Sequence, residues 1–247
     1  IMLGDQPFCF GFGIRSKYKQ GKTIFKNEIP EYLARFDLVI ANLESPLCDI
    51  RDQENDDIGF FAMRGDTHTS KILVDLGINA VNVANNHILE HGSDAFQKTL
   101  DELDRRGIIH FGSHRKSNHL FTHNNLKIAL LGWSMVQENY LGEISSSSLY
   151  NLTSDHQEIL DEVNSIRDDV DRVILNLHWG SEFMEQPSIQ QTKIAEDLLS
   201  SGVDVIIGHH PHVLQPIEEK NGGIVAYSMG NFIFDYWMKN TNKSGII

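Results

Sequence analysis

Short β-branched apolar runs alternate along the chain with longer segments whose apolar residues recur every three or four positions, a pattern that predicts α/β layering. Four runs begin as buried strands and end in polar side chains: residues 36–44, 78–87, 171–178 and 202–210. Shorter strands are predicted at 1–3, 108–111, 126–133 and 224–227. Helices fit between them. Thr67 or Asp66 can cap a segment reaching Leu76, which Gly77 ends. Ser93 can cap residues 94–106, where Phe96, Leu100 and Leu103 form one apolar stripe and Gly107 supplies the stop. Residues 155–170 and 188–201 read the same way, the second ending at Gly202. The acidic stretch 51–57 reads as a solvated loop, and apart from the serine run 145–148 no repeat, linker or low-complexity tract divides the chain. A single domain over residues 1–247 is expected.

Composition narrows the function classes. The chain has 247 residues, 40% of them hydrophobic, enough for a sizeable core. Against 34 Asp and Glu there are 21 Lys and Arg, and the net charge of −13 repels nucleic-acid backbones and anionic lipid surfaces. No nucleic-acid partner is expected, and an anionic substrate would need local rather than bulk charge to hold it. Cys9 and Cys48 make neither a disulfide framework nor a thiolate zinc site. No apolar stretch approaches the ~20 residues of a membrane span. The opening Ile1-Met2-Leu3-Gly4-Asp5 has no basic region before it, so no signal peptide or anchor is visible, and the apolar end Gly245-Ile246-Ile247 suggests that the natural chain continues.

The 12 histidines change the picture, because five of them fall at the ends of buried strands: His87, His178, His209, His210 and His212. Ligands gather outside the carboxyl ends of strands in open α/β sheets. The same ends carry Glu44 and Asn86, and Asp5 follows the first apolar run. Carboxylate, amide oxygen and neutral imidazole suit a borderline divalent cation such as Mn, Fe or Zn. In His210-Pro211-His212 an extended backbone would point both imidazoles into one pocket. The other seven histidines, His114, His119 and His123 among them, read as surface residues, and Trp133, Trp179 and Trp237 as core or rim packing.

These residues stand in a recognisable order. Gly4-Asp5, Ala41-Asn42-Leu43-Glu44 and Ala84-Asn85-Asn86-His87 are followed by His178-Trp179-Gly180-Ser181-Glu182, Gly208-His209-His210-Pro211-His212 and Tyr227-Ser228-Met229-Gly230-Asn231-Phe232-Ile233-Phe234-Asp235. The sequence resembles the bacterial capsule-synthesis and poly-gamma-glutamate-synthesis proteins of the CapA type, within the calcineurin-like metallophosphoesterases. That resemblance implies a four-layer α/β/β/α sandwich, metallo-dependent phosphatase-like, with one or two divalent metal ions between the sheets. It implies Asp5, Glu44, Asn86, His178, His210 and His212 as ligands, Glu44 as the bridge and His87 as the catalytic acid. Four departures accompany it: Pro7 stands where a first-motif His is usual, Glu44 where most relatives outside the CapA branch have Asp, Ile88 follows Asn86-His87 with Glu90 the nearest acid, and His209 lengthens the terminal motif. Which two of His209, His210 and His212 ligate therefore stays open.

Glu182, Asn231 and Asp235 are candidates for orienting the ligand imidazoles, and Arg64 for holding a substrate oxyanion. The implied function is a metal-dependent, phosphoesterase-like hydrolase of capsule or exopolymer synthesis, acting on an anionic small molecule or polymer alongside capsule-synthesis partner proteins. The alternative is a binding component of the same machinery that does not turn over.

Overall fold

The computed structural model describes residues 2–6, 28–48, 63, 65, 67–137 and 149–233, with the backbone alone at 2–6, 67 and 68. A four-stranded sheet is built from β1 (Met2–Gln6), β2 (Ile40–Leu43), β3 (Ala80–Asn82) and β4 (Ile109–Phe111), all parallel and in chain order. Helices α1 (Glu28–Leu33), α2 (Thr67–Asp75) and α3 (Gly92–Arg106) lie between these strands in the chain. The second sheet contains β5 (Asn118–His123), β6 (Leu126–Ser134), β7 (Arg172–His178), β8 (Val205–His209), β9 (Ile217–Lys220) and β10 (Gly223–Ala226). Its order is β5-β6-β7-β8-β10-β9, parallel in the middle, with β5 and β9 as antiparallel edges. Helices α4 (Gln157–Ile166) and α5 (Ile189–Ser200) supply its crossovers.

Alternation along the strands sorts side chains into three apolar layers. Ala41, Leu43 and Val81 pack with Leu73, Leu76, Phe96, Leu100 and Leu103 of the first helix layer. Val173, Leu175, Leu177 and Val225 pack with Ile159, Val163, Ile194 and Leu198 of the second. Ile40, Ala80, Phe111 and Leu130 fill the space between the sheets. The result is the expected α/β/β/α sandwich. Towards the carboxyl ends of the strands this inner layer turns polar: the Asn82 amide donates to Asn42 Oδ1 at 3.0 Å. Room for that pair comes from the second sheet, where a Cβ on Gly132 would sit 2.1 Å from Asn82 Oδ1.

Element boundaries shift for identifiable reasons. The run 78–87 is a strand only over Ala80–Asn82, because the Asn82 carboxamide oxygen then takes the Ala84 N–H at 3.1 Å and turns the chain. Ser93 is not the cap of α3, which starts one residue before it at Gly92, while Gly107 ends it in a left-handed conformation, φ 70°. Ser188 does cap α5, in a reciprocal capping box with Gln191. Helix α4 gives way to a 3-10 turn at Arg167–Asp169. His110 corrects the expectation that it lies at the surface. Fully buried on β4, it has Nε2 3.3 Å from Asp104 Oδ1 of α3, and burial, reinforced by Lys116, pushes its pKa down. Residues 51–57 and 145–148, and Asp66, Cys9 and Trp237, lie outside the described residues.

Candidate metal centre

The carboxyl ends of β2, β3, β7 and β8 share one rim. Glu44 follows β2 and is fully buried; His178 ends β7, also fully buried, with Ser134 and His209 beside it in register. Asn86 and His87 sit in the turn after β3. His210 and His212 follow β8, buried and each at positive φ, 94° and 58°. The extended backbone expected for His210-Pro211-His212 is thus not the device used. Two left-handed residues aim the imidazoles instead, at a cost of about 1–3 kcal/mol each, and such strain concentrates at functional sites.

The donors converge. His178 Nε2 lies 2.8 Å from Asn86 Oδ1 and 3.6 Å from Glu44 Oε1, and His212 Nε2 lies 3.7 Å from the same Glu44 oxygen. Two atoms sharing a cation with bonds of about 2.1 Å stand roughly 3.0–3.6 Å apart, so the two contacts of Glu44 Oε1 lie at or just beyond that spacing, while the 2.8 Å contact of His178 with Asn86 is a hydrogen bond. Ligand atoms of Glu44, His178 and His210 all fall within 4.8 Å of one another, and so do those of Glu182, His210 and His212. Burial, reinforced by His210, His209 and His212, drives the His178 pKa well below the usual imidazole value. His178 is therefore held neutral, the form that ligates a metal.

Around these atoms sits a supporting set. The His212 Nδ1 is 3.0 Å from Asn231 Oδ1. His87 Nδ1 meets Glu90 Oε1 at 2.5 Å, and the other Glu90 oxygen accepts the Met63 N–H. His209 sits apart, its Nε2 3.4 Å from Asn176 Oδ1 on β7 and outside both donor groups. The sequence reading missed Asn42, whose amide lies 3.4 Å from both Glu44 Oε2 and His178 Nδ1. Its signal was available, two residues before Glu44 at the end of the same strand. It also missed Phe183, whose ring lies 6.1 Å from that of His212. Asp5 is placed by its backbone alone, in register with Asn42. Pro7, Arg64 and Asp235 lie outside the described residues.

Residues 1–236 match the family described as bacterial capsule synthesis protein PGA_cap. The chain belongs to that family. Among PGA_cap relatives, the PGA biosynthesis protein CapA of Bacillus subtilis is 28% identical over 239 residues, covering 94% of this chain and 62% of its own. The capsule biosynthesis protein CapA of Bacillus anthracis is 28% identical over 236 residues, covering 91% of this chain and 56% of its own. This PGA_cap chain thus spans somewhat over half the length of those relatives. In fold it is similar to a phosphatase of Mycoplasma pneumoniae, with a TM-score of 0.56, 18% identity, and coverage of 93% of this chain and 70% of that one. Its architecture is therefore metallo-dependent phosphatase-like. Among the described residues of this PGA_cap chain no helix is long and apolar enough to cross a membrane.

Proposed function

We propose that the chain is a metal-dependent phosphoester hydrolase serving capsule or exopolymer synthesis, of poly-gamma-glutamate or a polysaccharide, and that residues 1–247 form one such domain. The observation that carries this reading is the meeting of Glu44, Asn86, His178 and His212 within 2.8–3.7 Å contacts at the carboxyl ends of two different sheets. Asp5, at the end of β1, and His210 complete the proposed ligand set. A divalent cation bound there, Mn, Fe or Zn, supplies Lewis-acid polarisation of a phosphoryl oxygen.

The chain's own groups do the rest. Glu44 is a fully buried carboxylate that faces both His178 and His212. His87, adjacent in sequence to Asn86, has its Nδ1 against Glu90, and in this reading its Nε2 is the atom that hands a proton to a leaving oxygen. The names of the Bacillus relatives support a place in capsule synthesis, and partner proteins of that machinery belong to the same proposal.

The test is elemental analysis of the purified chain together with hydrolysis of generic phosphomonoesters and phosphodiesters in added manganese. Bound metal and turnover that falls about 10²–10⁴-fold in His87→Gln are expected. Bound metal without turnover, indifferent to His87, would favour a binding component instead, a reading that Pro7 supports by leaving the first strand's end without an imidazole.

A further inference from the structure

The centre contains two donor groups, not one. Glu44, His178 and His210 form the first, all of them buried; Glu182, His210 and His212 form the second, which opens to solvent through the exposed Glu182. One oxygen, Glu44 Oε1, is 3.6 Å from His178 Nε2 and 3.7 Å from His212 Nε2, and so reaches both. Asn86, 2.8 Å from His178, belongs to the inner group.

Glu182 is not a loosely placed surface carboxylate. Its neighbour Phe183, at φ 63°, donates its backbone N–H to Pro211 O at 2.8 Å and lays its ring beside His212. Gln215 donates to Met184 O at 2.7 Å. The loop after β7 is thereby tied to the loop after β8 on both sides of His212. Two divalent cations close together need anionic ligands, and Glu182 adds a carboxylate to those of Glu44 and Asp5 in the proposed ligand set.

We propose that Glu182 is a direct ligand of a second, solvent-facing cation, so that the centre is an unequal pair: an inner ion held by buried donors and an outer ion held by Glu182 with His212. This rests on the metal-dependent reading above and goes beyond it, since it moves Glu182 from an orienting to a ligating position and ranks the two ions. The outer ion, with a water-exposed ligand, is the weaker and more readily exchanged.

The experiment strips the full chain with a chelator and titrates it with manganese alone, following stoichiometry by equilibrium dialysis with elemental analysis and ion–ion coupling by electron paramagnetic resonance. Wild type should take two equivalents, the second at least about tenfold weaker, with a spin-coupled spectrum. Glu182→Gln should keep the tight equivalent, weaken the other at least about tenfold and give an isolated-ion spectrum. Glu182→Asp should restore part of the coupling. Since Glu182 is exposed, circular dichroism of both variants should match wild type. Two equivalents with unchanged affinities in Glu182→Gln would overturn Glu182 as a ligand, a single equivalent in wild type would overturn the outer site, and either result leaves the metal-dependent reading standing. No bound manganese in wild type would overturn both.

Discussion

At the scale of single residues, the centre depends on groups that hold imidazoles still. Asn231 accepts from, and so orients, His212 through Nδ1, leaving Nε2 towards Glu44. Replacing Asn231 with Ala should lower metal affinity about 10–100-fold without unfolding the chain, read by competition against a chelating dye. The donor residues were legible in the sequence because each is a polar residue directly after a buried run. Which histidines turn inward was not, because the answer lies in backbone dihedrals: positive φ at His210 and His212 swings both towards Glu44, while His209, still in strand geometry, faces Asn176. His110 misled for the opposite reason. A polar residue inside a short strand suggests an outward face, yet β4 is covered by a helix on that side.

At the scale of elements, helix pairs and strand crossings carry their own tests. Glu102 of α3 takes hydrogen bonds from Arg105 and Arg106 of its own helix and from Ser70 of α2. Burial alone would raise its pKa, and those bonds together outweigh it, bringing it from 4.5 to about 2. The folded value lies below the unfolded one, so the contribution is complete above pH 4.5 and disappears as the pH falls towards 2. Glu102→Gln should cost about 1–2 kcal/mol at neutral pH, and its urea midpoint should vary less than wild type across that acid window. Gly208 in β8 has no space for a side chain, since a Cβ would lie 1.8 Å from Tyr227 O. Gly208→Ala should destabilise by about 3 kcal/mol in urea melts, and push apart the strand ends that carry His209 and His210. The long periodic helices and the central parallel strands were readable from spacing. Helix α1 and strands β5 and β9 were not: α1 is a single short amphipathic turn or two, and both strands are sheet edges with exposed positions, where burial imposes little pattern.

For the molecule as a whole, both sheets contribute to one constellation. Glu44, Asn86 and His87 come from the first sheet; His178, His210 and His212 come from the second. Cation binding should therefore report on global stability: at a hundredfold excess over its dissociation constant it adds about 2.7 kcal/mol, and a chelator should lower the melting temperature accordingly. The inter-sheet layer is thin in apolar groups at that end, where Asn42 and Asn82 meet near Gly132 in place of packed hydrocarbon. An ion seated there would act as a rivet through a seam that oil alone does not close. Once it is withdrawn, deuterium should enter the amides along the facing margins of β2 and β7 sooner than anywhere in the two helix-backed flanks.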